Sequence, residues 1–423
     1  MQTIQPDNNN YSGKNYISNF LRKWLTISFL NLLLVASLGV ILRYKIAFYM
    51  PFIEQKYVLH SHSHFAFAGW ITQTLMVLLV HHLSLKSGEQ ILKRYSWLLY
   101  ANCITAYGML VSFIVQGYGF FSISFSTLSV FVSYLFAVYY WKDLARMNEK
   151  KASRLWFKAA LVFSAISSIG AFSLAYLMAN KIMHQNWYLA SIYFFLHFQY
   201  NGWFFFAGMG LLVSTLEKIA TAVKTLKTVF LLFCFACIPT YFLSALWLPF
   251  PRIIYCIIIA SVIVQLAGWA LMIKICIKNK IFINQQFSKY GKVLLLLSAI
   301  AFSIKLLLQS GSIYPALSQL SYGFRPIIIG YLHLVLLAVT SIFILGYIVS
   351  FELVPVTKKL ITGVFIFVAG IIINELLLMV QGVAALTYNN IPYINILLLI
   401  AAVILFAGIS IMFISRFKAP NTR

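Results

Sequence analysis

Long apolar runs separated by short polar segments set the plan of this chain. Twelve runs are long enough to cross a bilayer, near residues 25–43, 58–83, 95–115, 120–141, 157–179, 187–215, 228–249, 253–273, 293–309, 326–350, 360–384 and 393–415. About 20 apolar residues span the hydrocarbon layer as a helix, which satisfies its own backbone hydrogen bonds. The pattern therefore predicts an all-α membrane protein, a twelve-helix transmembrane bundle. Its parts are a polar cytoplasmic tail over 1–24, a single membrane domain over 25–415 and a short cytoplasmic tail over 416–423. The first tail, rich in Asn and Ser and without a signal-peptide core, reads as a disordered lead. The connections are short, and no internal repeat is visible.

Composition agrees with the pattern. The 423 residues are 62% hydrophobic and only 9% charged, against about 25% charged in a soluble domain. The net charge of +24 would suit a nucleic-acid partner if it formed a basic surface interleaved with aromatics. Instead the basic residues sit in the short loops. With both termini inside, 24 of the 32 Lys and Arg residues fall on the inner side and 6 on the outer side. Lys158 and Lys305 lie within spans. That asymmetry sets the orientation as N-in, C-in and absorbs the charge, with the lipid bilayer as partner and no nucleic acid. The expected location is the bacterial inner (plasma) membrane.

The five cysteines add little. Cys234 and Cys237 form a CxxC, but inside an apolar span that spacing reads as packing. The eight histidines say more. His81, His82 and His184 fall at span ends or in a loop. The other five, His60, His62, His64, His197 and His333, fall in spans two, six and ten, which all run from outside to inside. His197 and His333 lie some 10–15 Å below the outer surface at about 1.5 Å per residue, and the span-two group is shallower. Ionisable groups at such depth mark functional sites, and neutral imidazole is the commonest metal ligand. On a helix His60 and His64 share a face, whereas His62 points about 200° away. His60 and His64 are thus candidates for a small-ion site or the outer interface. His62 is a candidate to face a histidine of another helix across an iron porphyrin.

Three short motifs carry a resemblance. His62-Ser-His64-Phe-Ala-Phe-Ala-Gly69-Trp70, His197-Phe-Gln-Tyr-Asn201-Gly202-Trp203 and Tyr331-Leu-His333-Leu stand in spans two, six and ten. In joint placement they resemble subunit I of the haem–copper oxidases, nearest to the nitric oxide reductase and cbb3-like branch. The resemblance implies the cytochrome oxidase subunit I type of bundle and a low-spin haem b with bis-histidine ligation by His62 and His333. It places a non-haem metal at His197. Arg43 and Arg325, near the outer ends of spans one and ten, are candidates for the haem propionates.

The chain also departs from the family pattern. Span seven, VFLLFCFACIPTYFLSALWLPF, holds no histidine pair for a non-haem metal. Tyr331 replaces the high-spin haem ligand, and Asn201 replaces the span-six acid. Tyrosinate can ligate haem iron, which makes Tyr331 a candidate ligand of a second haem. The low-spin site is retained while the oxygen- or nitric-oxide-reducing centre is depleted. The resemblance thus implies electron transfer or diatomic-gas binding, with a partner respiratory subunit or small electron carrier. Two other readings stay open. One is an active terminal oxidase or nitric oxide reductase with replacement ligands. The other is a transporter or metal-ion carrier using His60, His64, Glu375 and Lys305. Glu375 is the single mid-span acid, and Lys305 would pair with it if their spans touch.

Overall fold

The computed structural model describes residues 8–147, 151–314, 317, 324–386 and 388–417. Among them every regular element is helical. We number the long helices α1 (Asn8–Ala47), α2 (Gln55–Ser87), α3 (Gln90–Gln116), α4 (Phe120–Arg146), α5 (Ala152–Ala179), α6 (185–216), α7 (Val223–Cys237), α8 (Arg252–Lys278), α9 (Lys289–Gly311), α10 (Arg325–Ser350), α11 (Lys358–Leu386) and α12 (Ile394–Ile414). Eleven stretches are long and apolar enough to cross a membrane. Helix α6 has the length, about 48 Å at 1.5 Å per residue. Its apolar character is diluted by His197, Gln199 and Asn201.

Eleven of the expected spans match such stretches; the run expected over 228–249 is α-helical only to Cys237 and then 3-10 over Pro239–Ala245, and the start of the chain departs as well. The segment expected as a disordered lead is helical from Asn8 onward. Phe20, Leu21, Trp24 and Leu25 account for this, since all four are buried and anchor the helix before the apolar run begins. Trp24 meets Tyr100 of α3 edge-on at 4.8 Å, and Lys23 hydrogen-bonds to the Tyr100 hydroxyl. Residues 1–7 and 418–423 of the expected tails lie outside the described residues.

The contacts divide the chain into two compact units. The first contains residues 1–136, 352–366 and 406–423, hence α1 to α3 and most of α4. Here α2 packs on both α1 and α3. The second contains residues 137–351 and 367–405, hence the end of α4, α5 to α10, the later part of α11 and the first part of α12. Its strongest pairings are α5 with α6, α7 with α8, and α9 with α10. Large apolar side chains such as Ile104, Val115 and Phe235 are exposed. In a bundle of apolar helices, such side chains face lipid.

Three helices depart from α-helical winding. Helix α2 is π-helical over Ala66–Thr72, α6 over Phe198–Phe204 and α10 over Leu334–Ser341. A π segment widens the turn and leaves carbonyls out of the i→i+4 ladder, so it persists only where other groups take them up. Polar side chains do so each time. In α2, Asn31 of α1 donates to the Gly69 carbonyl at 2.6 Å, and Asn102 of α3 donates to the Ala68 carbonyl at 3.1 Å. In α6, the Cys237 thiol faces the Asn201 carbonyl at 3.7 Å. In α10, Ser298 of α9 donates to the Val339 carbonyl at 2.7 Å. Thr340 and Ser341 bond back five residues, to Val335 and Leu336.

Candidate functional site

The three π segments sit on the three helices that carry mid-membrane histidines. In α6 the segment begins immediately after His197, and in α10 immediately after His333. In α2 it begins two residues after His64. Such segments are frequent at functional sites because they re-aim the side chains beside them.

Hydrogen bonds fix which ring nitrogen carries the proton. His62 Nδ1 lies 3.0 Å from the Val35 carbonyl oxygen of α1. A carbonyl only accepts, so Nδ1 holds the hydrogen and the lone pair of the neutral ring is at Nε2. His333 Nδ1 lies 2.8 Å from the Ile329 carbonyl oxygen, with the same consequence. This is the arrangement of metal-ligating histidines, whose second nitrogen is oriented by a backbone carbonyl. Gly39 lies beneath the His62 ring, where an added Cβ would approach His62 Cε1 to 3.4 Å. The Arg43 charge is within electrostatic reach of His62. Arg325 is exposed at the first position of α10. In each of His62 and His333 the ring is thus oriented by a backbone carbonyl that bonds Nδ1.

His197 is set up the other way. It is fully buried, and its Nε2 lies 2.8 Å from the Cys237 carbonyl oxygen, so Nε2 carries the proton. The lone pair on Nδ1 accepts from the Asn201 amide at 3.1 Å, one helical turn on. Both nitrogens are bonded to protein groups. Among the described residues no set of three His, Cys, Asp or Glu side chains is placed to hold a metal ion. The local cause is legible at Pro239, which has no N–H to continue α7. The chain turns into a 3-10 helix over Pro239–Ala245, and the Tyr241 N–H bonds to the Ile238 carbonyl at 3.2 Å. The Cys237 carbonyl accepts from His197 and from Thr240 Oγ1 at 3.1 Å. The position expected to hold a non-haem metal is therefore a closed hydrogen-bonded knot of His197, Asn201 and Cys237.

Tyr331 is drawn into a second polar group. Its ring meets that of Tyr200 at 6.3 Å, and Tyr200 hydrogen-bonds to both Tyr331 and Ser244. The phenol expected as a candidate ligand of a second haem is thus engaged with protein hydroxyls. Gln199, beside His197 in sequence, donates to Ser167 of α5 at 2.8 Å.

Lys305 is 2% exposed, and its charge reaches His197 and Cys237. Its ammonium lies 5.4 Å from the Phe302 ring. The expected pairing with Glu375 does not form. Glu375 instead accepts from its neighbour Asn374 at 3.2 Å. His60 and His64 both pack on Tyr118, in the loop between α3 and α4, and are well separated in direction from the His62 contact on α1.

Sequence reasoning missed the polar residues that support the π segments. Asn31, Asn102 and Gln73 are fully buried, with Asn102 donating to Gln73 at 2.7 Å and Tyr107 to Asn31 at 2.7 Å. Their signal was present, since each is an amide in the middle of an apolar run. No family model matches the chain, and no curated protein matches it.

Proposed function

We propose that the protein is an integral-membrane b-type haem protein with twelve spans, N-in and C-in, of the kind that subunit I of the haem–copper oxidases represents. His62 and His333 are its axial ligands, and Arg43 and Arg325 supply cations for the propionates. Its role is electron transfer or diatomic-gas binding in a bacterial inner membrane, with a respiratory subunit or small electron carrier as donor. The bound haem supplies a one-electron iron couple.

The observation that supports this reading is the contrast in tautomers. Both proposed ligands carry the proton on Nδ1 and the lone pair on Nε2, held by carbonyl oxygens at 3.0 and 2.8 Å. His197 carries it on Nε2 and spends its Nδ1 lone pair on Asn201. The first pair suits axial ligation, and the third histidine suits a structural bond. That contrast favours a haem protein without a binuclear metal centre over an active oxidase.

The test is an absorption spectrum of the purified protein, oxidised and then reduced with dithionite. A sharp reduced band of low-spin bis-histidine haem is expected, lost in His62→Ala and in His333→Ala and kept in His197→Ala. A protein without a Soret band after expression with added haem overturns the proposal.

A further inference from the structure

The outer half of the α2 face that packs on α3 holds a second imidazole pair, separate from His62. Tyr57, His60, Ser61 and His64 recur at helical spacing on that face, and Ser61 donates to the Leu110 carbonyl of α3 at 2.7 Å. The loop closing α3 is held tightly to this face. Gly117 adopts φ +61°, a left-handed conformation, and a Cβ there would run into the Tyr57 ring. The next residue, Tyr118, is thereby brought to both histidines. Its ring lies 4.6 Å from that of His60 and 6.1 Å from that of His64.

The polar atoms converge. His64 Nε2 lies 3.2 Å from the Tyr118 hydroxyl. His60 Nε2 is buried and has no hydrogen-bond partner. An orphaned imidazole nitrogen costs free energy that no protein contact returns. Phe113 stacks on His64 at 4.4 Å and fixes its plane. Both histidines remain partly accessible beside a loop, hence near one membrane face. Two imidazoles at i and i+4 on one helical face are a recurring chelate for divalent transition metals.

We propose that His60, His64 and Tyr118 form a binding site for a divalent transition-metal ion of the zinc class. The two Nε2 atoms are the ligands, and the Tyr118 oxygen completes the protein side. The ion replaces the Tyr118–His64 hydrogen bond and gives the orphaned His60 nitrogen its partner. Lys56, whose charge reaches His60, moderates the affinity. The site does not depend on the haem reading, since it uses neither His62 nor His333.

The experiment uses the full chain in detergent, stripped with a chelator and titrated with Zn2+ against a chromophoric competitor. One site is expected in the natural protein. In His60→Ala and in His64→Ala its affinity falls by about tenfold or more, and in Tyr118→Phe by a few-fold. His184→Ala, which removes an exposed histidine in a different loop, leaves it unchanged. Where an alanine variant fails to elute as a monodisperse peak, His60→Gln and His64→Gln replace it. Full Zn2+ affinity in the His60 and His64 variants overturns the proposal, as does loss of binding in His184→Ala or no site in the natural protein. An unchanged Soret band alongside altered Zn2+ affinity separates this result from the fate of the haem reading.

Discussion

His62 and Val35 are joined across 27 residues by a bond of 3.0 Å from an imidazole Nδ1 to a backbone carbonyl. A main-chain acceptor cannot be deleted by mutation, so the ring's position is tested through Gly39 below it. An alanine Cβ would lie 3.4 Å from Cε1, at the edge of ordinary contact. Anything larger must push the ring away. Gly39→Ala should keep the low-spin haem spectrum, whereas Gly39→Leu should lose it or shift it to high spin. Identical spectra from both variants would mean that the His62 ring is not held where iron needs it.

Asn31 and Asn102 make their own prediction, about stability. Each bridges a π-segment carbonyl of α2 and a second polar side chain, Tyr107 for Asn31 and Gln73 for Asn102. Interhelical hydrogen bonds in membrane proteins contribute about 0.6 kcal/mol on average and up to about 1.7. These amides lie at the upper end, because losing one strands two or more buried groups. Asn31→Ala and Asn102→Ala should each lower stability in detergent by about 1–2 kcal/mol, read as a fall in the thermal midpoint. Tyr107→Phe should add little on top of Asn31→Ala, since both break the same chain. Fully additive losses would show that the network does not act as a unit.

The membrane spans were legible in the sequence because apolar length alone defines them. Eleven of the expected runs correspond to helices long and apolar enough to cross, whereas α6 falls short because His197, Gln199 and Asn201 dilute its hydropathy. The π segments were not legible. Their extra residue per turn is held by donors far along the chain, such as Asn31 to Gly69, and a single run carries no sign of that partner. The α1 start was missed because Asn and Ser suggested disorder, while burial of Trp24 and Leu25 decided otherwise. At the candidate site the sequence singled out the histidines of spans two, six and ten. It did not distinguish His62 and His333 from His197, since the difference lies in which ring nitrogen meets a carbonyl.

The knot around His197 predicts a structural role for that residue. Its two bonds, to the Cys237 carbonyl and from the Asn201 amide, are buried and made by neutral groups. His197→Ala leaves both partners without that bond and should lower stability by about 2 kcal/mol, read as a fall in the thermal midpoint. It should leave the haem spectrum and the metal content of the purified protein unchanged. A drop in stoichiometric copper or iron in that variant would restore a metal to this position.

Lys305 carries the last prediction, and its sign is opposite. An ammonium 2% exposed inside a membrane bundle has lost its hydration, and the groups its charge reaches, His197, Cys237 and the Phe302 ring, are not carboxylates. Removing a buried charge that lacks a full counter-charge relieves a desolvation cost. Lys305→Met keeps the stem volume and drops the charge, so it should raise stability by about 1–3 kcal/mol, read as a rise in the thermal midpoint. A charge that costs stability points to another role, here with its field reaching His197 and Cys237. If Lys305→Met stabilises the fold and slows haem reduction or gas binding, the charge serves the site. If it destabilises, the ammonium has a partner that offsets its burial, and the lysine belongs to the scaffold.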